Sequence, residues 1–583
     1  MAQATHKTII AGVLWLSGLF PTAAQTPVWV AHWPTQGLSA SGALGGLKLA
    51  IADNGEILCA GAQGSGVFAM DGLQATILGS SDMVIAKLDP QGQPLWLGNG
   101  GGIECYEYGG DGAGWIAMTE PSDGAYTMGW FQSGSAYFGD TVLHGYCDNF
   151  GGGLNLFIAR SSTANGEFHW ARSVQGDIAE PGALLLSPDE TAWVFGRSSE
   201  GSWGAIVQDL NPSIQLPPGA FLVKYDPQGQ VLGADRIMPH GGVNDAEWSG
   251  QDIVVGGWYS GQDSLWGTAL PEGGVESNGF VGVVGQNGEP IWVNSLMGDS
   301  MVMVTELAQL SDGSVIAVGI YSHRLVVGAD TLIAEGPGYA SGAFITSFSS
   351  TGDLNWIRRI DEESEPGEQG WMDNEDGVEG VYDLQVGPDD AIYLQGLFSG
   401  HMSIGSTEFA STASRDMYVA KLNALGECVA VLCFGRSERH VGGGSVVPTD
   451  DAVFISGTFD STMVVGGAIV EPGEIGTSDF FVAKFDSLSG FTGIRVLAPQ
   501  EELLHLYPDP NNGICTIDIP SRVRFKDDLF LSIFDVTGHG VRLVPITMGS
   551  ASVQLDIQTQ AKGIYHLELV DGQQRYTGRM VFE

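Results

Sequence analysis

Positive charge is scarce in this chain: 24 lysines and arginines face 68 aspartates and glutamates over 583 residues, a formal net charge of −44. Nine of the acids and seven of the bases lie in residues 503–583, so residues 25–502 carry 59 acids and 16 bases. A body that acidic repels phosphate and anionic lipid, which makes nucleic acid and membrane surfaces poor partners. Solubility and cation binding are the two readings it leaves open. Cysteine is equally thin, six residues, too few for a disulfide scaffold at this length. Cys428 with Cys433 and Cys105 with Cys147 are near enough in sequence to pair, whereas Cys59 and Cys515 are isolated. None has the Cys-x-x-Cys spacing of a zinc site.

Long apolar runs are missing too. The one run, Thr8 to Phe20, follows His6 and Lys7 and precedes Thr22-Ala23-Ala24. It is too short to span a bilayer and reads as a secretory signal peptide over residues 1–24, so export without a membrane span is expected. Catalytic constellations are also wanting. His32, His144, His169, His240, His323, His401 and His440 form no i, i+4 pair, and no Gly-x-Ser-x-Gly elbow occurs. Nucleophilic catalysis has no support, and no catalytic residue or organic cofactor is assigned.

What the chain has in quantity is glycine, 86 residues, and a repeated phrase. Asp479-Phe480-Phe481-Val482-Ala483-Lys484-Phe485-Asp486 returns at 82–89 and 416–423, with weaker copies at 155–162, 219–226, 278–285 and 342–349. The positions equivalent to Lys484 are 87, 160, 224, 283, 347 and 421, at intervals of 59 to 74 residues. A glycine follows each copy, at 92, 166, 229, 288, 352, 426 and 490, and a tryptophan segment often comes next, as at Trp96, Trp170, Trp292 and Trp356. Upstream of each copy lies a strand, an Asp-containing turn and a second strand ending at glycine. A shorter strand such as Tyr137 to Leu143 precedes the phrase, which is read as the fourth strand of its unit.

Seven units of four or five strands predict an all-β fold, a seven-bladed β-propeller over residues 25–498, because such a sheet must bury both faces against neighbours. An open solenoid is the competing arrangement. Val28 to Ala31, which resembles the tryptophan segments, is the candidate closing strand, with Phe491 to Leu497 as the alternative. Two connections are long, Gly98 to Trp115 and Asp361 to Glu379, and the second carries nine acids in nineteen residues. Within it Asp373, Glu375, Asp376 and Glu379 alternate around Gly377, a pattern suited to calcium, against a plain solvated acidic loop. Tryptophans outside the repeated position, Trp115, Trp130, Trp203, Trp248, Trp258, Trp266 and Trp371, are candidates for stacking on a ligand or for packing between sheets.

After a linker at 499–502 the period stops. Residues 503–583 contain Tyr507-Pro508-Asp509-Pro510-Asn511-Asn512-Gly513, then Asp535-Val536-Thr537-Gly538, then Gly563-Ile564-Tyr565, in alternating strands that predict a small β-sandwich. This segment resembles the type A C-terminal sorting domain of the type IX secretion system of Bacteroidota. Asp509 stands where that family usually has Asn, and His539 where it usually has Arg or Lys. The motif residues carried over are Tyr507, Pro508, Pro510, Gly513, Asp535, Gly538, Gly563 and Tyr565. The resemblance implies a partner, the type IX machinery, and a secreted or outer-surface location reached through the periplasm. The repeats are similar to the seven-bladed propellers that often carry this tail. The expected function is a surface binding or adhesion scaffold for a glycan or protein ligand, with an extracellular glycan-active hydrolase as the alternative. Convergent acids at the centre of the ring would favour the enzyme.

Overall fold

The structure is a computed structural model describing residues 26–583 except for connecting stretches, of which 37–46, 364–379, 493–501 and 520–528 are the longest. The chain divides into two compact units, Met1–Ile494 and Arg495–Glu583. Every element named among the described residues is a β-strand.

The third repeat shows how a unit is built. Ala179–Leu186, Ala192–Ser198, Gly219–Tyr225 and Val231–Met238 pair in that order as an antiparallel sheet. The repeated phrase is therefore the third strand of its sheet, not the fourth, and the tryptophan segment is the fourth. The short strands expected before the phrase are hairpins that leave their own sheet. Arg324–Val327 with Asp330–Ile333 pairs onto Pro290–Gly298, the outer strand of the preceding sheet, through Met297 and Val326. His401–Ile404 with Thr407–Ala410 does the same on Leu354–Glu363, and Met463–Val465 with Ala468–Val470 on Cys428–Ser437. Alternation alone could not reveal this, because a hairpin reads the same whichever edge it joins. Physically, the hairpins cover outer edges that would otherwise present unpaired backbone groups.

The phrase is apolar on both faces because each sheet packs against two others. Ile316 and Val318 of one sheet share a buried cluster with Leu394, Tyr418 and Ala420 of the next. Val254 and Val281 meet Val315 and Phe344 in another. Its basic residue has a different task, lying across an aromatic ring on the neighbouring second strand. Lys224 Nζ stands 3.3 Å from the Trp193 ring centre, and Arg160, Lys421 and Lys484 lie over Tyr126, Tyr393 and Phe454.

The spaced tryptophans and glycines act together. Trp29, Trp96, Trp170, Trp292 and Trp356 each lie over a turn glycine one repeat on, at 92, 166, 229, 352 and 426. These glycines have φ between +73 and +89, and a Cβ on any of them would enter the indole. Each indole Nε1 also donates to a carbonyl of that turn, at 3.0 to 3.1 Å, on Pro90, Thr163, Pro227, Ser350 and Ala424. In the third sheet Gly233 occupies the tryptophan position. There Trp266, from a hairpin and held at φ +44, covers Gly288 instead.

The N-terminal strand Trp29–Trp33 pairs antiparallel with the last phrase, Asp479–Phe485, setting Trp29 opposite Lys484 and Trp33 opposite Phe480. The first strands of the sheets, Lys48–Ile51, Gly112–Met118, Ala179–Leu186, Gly241–Ser249, Val302–Gln309, Gly380–Val386 and Val446–Pro448, neighbour one another in that order. Val446–Pro448 also neighbours Lys48–Ile51.

In the second unit one sheet runs Glu502–Leu503, Arg575–Phe582, Gly563–Val570, Leu529–Asp535, Gly540–Ile546. A three-stranded sheet of Leu506–Tyr507, Ile514–Asp518 and Ser552–Asp556 shares its core, where Cys515, Ile517 and Leu555 meet Leu531, Leu567 and Tyr576. Cys59, Cys428 and Cys433 are free thiols, and the Cys515 sulfhydryl lies 3.3 Å from Met580 Sδ. Cys428 and Cys433 lie on one extended strand, about 16 Å apart at ordinary strand rise, too far to bridge. Burial pushes the Cys428 thiol up to about 11. Cys105 and Cys147 fall outside the described residues.

Candidate functional site

The first strand of five sheets carries a bulge, where Gly114, Gly182, Asn244, Thr305 and Tyr382 are skipped in the pairing. The glycine that ends each second strand explains why it recurs. A Cβ at Gly129, Gly257, Gly319 or Gly396 would lie about 2.0 Å from a first-strand carbonyl oxygen beside the bulge. Only hydrogen fits there.

The residue after the bulge, together with its register equivalents in the first and last sheets, forms one level of seven: Lys48, Trp115, Ala183, Asp245, Glu306, Asp383 and Ser445. Three acids thus come from consecutive sheets, with a single lysine at the same level. Glu247 and Gln385 stand two residues further along.

Several of these side chains satisfy the free edge of the next first strand. Asp245 Oδ2 accepts the Leu307 N–H and Asp383 Oδ2 the Val446 N–H, both at 2.7 Å. Ser445 Oγ accepts the Leu49 N–H at 3.2 Å, and Asn244 Nδ2 donates to the Val304 carbonyl at 2.7 Å. Lys48 Nζ donates to the Tyr382 carbonyl at 3.1 Å and lies 3.7 Å from Asp383 Oδ1. Glu247 and Glu306 accept no hydrogen bond among the described residues. They are the acids not engaged by the edge.

Their electrostatics follow from enclosure. Asp383 is buried, and Asp245, Glu247 and Glu306 are enclosed by protein while keeping some accessible surface. Burial and then the Glu306 and Asp383 charges push Glu247 up to about 7. Burial lifts Glu306 well above the carboxylate range, helped by Asp245 and Asp383 and opposed by Lys48. Asp245 is raised by burial and by Glu247 against two backbone N–H bonds and Lys48, and Asp383 by burial against Lys48 and the Val446 N–H. Burial works against the Lys48 ammonium, yet Asp383, Glu306 and Asp245 together outweigh it and raise its pKa. A cavity of about 160 Å³ opens beside the lysine, lined by Lys48, Trp115, Asp383, Gln385 and Ser445 with Leu49, Ile116 and Val447. That is room for roughly five waters, at about 30 Å³ each.

The calcium candidates Asp373, Glu375, Asp376 and Glu379 lie outside the described residues, as do Trp203 and Trp371. Among the described residues no group of three His, Cys, Asp or Glu is arranged to hold a metal ion. Of the other tryptophans, Trp115 lines the cavity, Trp266 covers a turn and Trp248 donates to the Leu186 carbonyl, edge-on to Trp193. Trp258 lies under Arg197. Asp245, Glu247, Glu306 and Asp383 were not singled out by sequence, since the 59 acids of residues 25–502 offer no choice. The usable signal was periodic: Asp245, Glu306 and Asp383 all stand twelve or thirteen residues before the glycine that ends a second strand.

Asn511 and Gly513 of the C-terminal motif meet the chain's last residues. Asn511 N donates to the Val581 carbonyl and its own carbonyl accepts the Glu583 N–H, each at 2.9 Å. Gly513, at φ +90, donates to Asn511 Oδ1 and lies against Gln558 and Phe582. Asp535 pairs with Tyr565, whose hydroxyl donates to the Ala561 carbonyl. Tyr507 is exposed and donates to Asp518 Oδ1 at 3.0 Å. Pro508, Pro510 and Gly563 are described with it, while Gly538 is not.

Fold and module together define an exported all-β protein. More particularly, residues 505–583 match the family described as the secretion system C-terminal sorting domain. That domain marks proteins that the type IX system carries to the cell surface or the medium. No helix among the described residues is long and apolar enough to cross a membrane. No curated protein matches the chain. Among solved structures, an ulvan lyase from a polysaccharide lyase family covers 80% of this chain and 97% of its own, at 11% identity and a TM-score of 0.37. The Synechocystis apocarotenoid oxygenase covers 80% and 96%, at 10% identity and a TM-score of 0.32. Likeness at that level says nothing of activity here.

Proposed function

We propose that the repeat region is a seven-bladed β-propeller, closed by Trp29–Trp33, that serves outside the cell as a binding or adhesion scaffold for a glycan or protein ligand. The observation that supports the binding reading is the size of the cavity beside Lys48. About 160 Å³ is well below the roughly 300 Å³ at which small-molecule pockets begin, so a polymeric ligand must be met on the faces and loops. Calcium at Asp373, Glu375, Asp376 and Glu379 belongs to this proposal as a loop-ordering ion. The test is a glycan and protein binding screen on the exported protein, with melting measured with and without chelator. Binding that the chelator abolishes supports both parts. An unchanged melting temperature removes the calcium, and no binding across the screen removes the scaffold.

One observation favours a second reading, a glycan-active hydrolase. Glu247 and Glu306 are unpaired, mutually repelling and shifted toward neutrality, as a general acid requires. Turnover of a soluble glycan lost in both Glu247→Gln and Glu306→Gln would establish it, and activity unaffected by either change would remove it.

A further inference from the structure

Six of the turns that follow a third strand lie under an indole, at Gly92, Gly166, Gly229, Gly288, Gly352 and Gly426. The turn after Asp479–Phe485 has no such partner among the described residues. On the preceding sheet the register position of Trp170, Trp292 and Trp356 belongs to Ala430, which stands opposite Lys421 as they stand opposite Arg160, Val283 and Ser347. Something else occupies that edge. Gly490–Thr492 runs parallel to Cys428–Ser437, with Gly490 beside Ala430, Phe491 beside Val431 and Thr492 beside Leu432. Just before it Leu488 is buried in one cluster with Tyr393, Leu432, Phe434 and Phe485, between the sixth and seventh sheets.

We propose that the exit segment is a second closing strand, fastening the one junction that lacks a tryptophan. The repeat region is then locked at both ends, by Trp29–Trp33 on the seventh sheet and by Gly490–Thr492 on the sixth. A cut beyond Thr492 releases the sorting module and leaves the lock in place, whereas a cut before Gly490 removes it. This rests on the closed-ring reading and goes beyond it.

Hydrogen exchange on the full-length protein tests it. Peptides spanning 428–434 and 488–492 are expected to exchange as slowly as 479–485. Phe491→Pro in the full chain should speed exchange of 428–434 by about tenfold or more while 219–225 is unchanged. Rapid exchange of 488–492 in the unaltered protein, with 29–33 protected, overturns the lock and leaves the ring standing. Rapid exchange of 29–33 as well overturns the ring. If Phe491→Pro unfolds the whole region, the unaltered protein and the milder Leu488→Ala decide: protection of 428–434 unchanged in Leu488→Ala, together with an unprotected 488–492, refutes the proposal.

Discussion

Raising the pH should weaken the repeat region, and Glu247 should be a main reason. Its carboxyl titrates near 7 in the folded chain against an ordinary 4.5. A group whose pKa is raised by folding stabilises the fold fully below its unfolded value and loses that contribution as pH climbs through the folded one. At about 1.4 kcal/mol per pH unit the loss is about 3 kcal/mol at most, less whatever water in the interior space screens. The groups facing Glu247 shape the size: Glu306 from the neighbouring first strand, Asp383 from the one beyond it and Asp245 on its own, with Lys48 as the cation facing the other three acids. Glu247→Gln keeps the shape and removes the titration. Melting temperatures of both proteins at pH 5, 6, 7 and 8 should diverge, with the variant gaining on the original as pH rises. Glu56, Asp189, Asp389 and Asp390 are held below their ordinary values, so their contributions fall away only on acidification, below this window. A variant whose curve runs parallel to the original's would refute the placement of Glu247 in an enclosed acidic cluster.

Lys48→Met removes the one cation at that level, and a few kcal/mol of destabilisation that grows with pH is expected in the same melting series. Trp170→Ala should cost about 3–5 kcal/mol in denaturant midpoints, since the indole is buried and bonded to Pro227. Gly229→Ala, forcing a Cβ to within 2.7 Å of that indole at φ +74, should cost about 1–3 kcal/mol alone and markedly less in the Trp170→Ala background, read from a double-mutant cycle. Deleting residues 503–583 should leave the protein in the periplasm, seen by fractionation and immunoblot; unchanged export would contradict the sorting role.

The all-β repeat class, the separate C-terminal module and the N-terminal strand that joins the last phrase were legible from Asp82, Asp416, Asp479, Trp29 and the motif at Tyr507 to Gly513, because each is a local pattern repeated at a period or anchored at the chain's end. The repeat grammar marked the tryptophans and glycines only as sequence neighbours, Gly92 before Trp96, whereas the indole over Gly92 is that of Trp29 and Trp96 covers Gly166 one repeat on. Three-dimensional structure decided the rest. Strand order within a unit went wrong at the phrase because hydrophobic alternation reports which residues are buried, not which edge a hairpin joins. Asp245, Glu306 and Asp383 lie some 60 to 80 residues apart and look like any other acids in an acidic chain. They become neighbours of Lys48 only because the first strands, five of them bulged, set their residues at one register level, where enclosure, not local sequence, sets their charge.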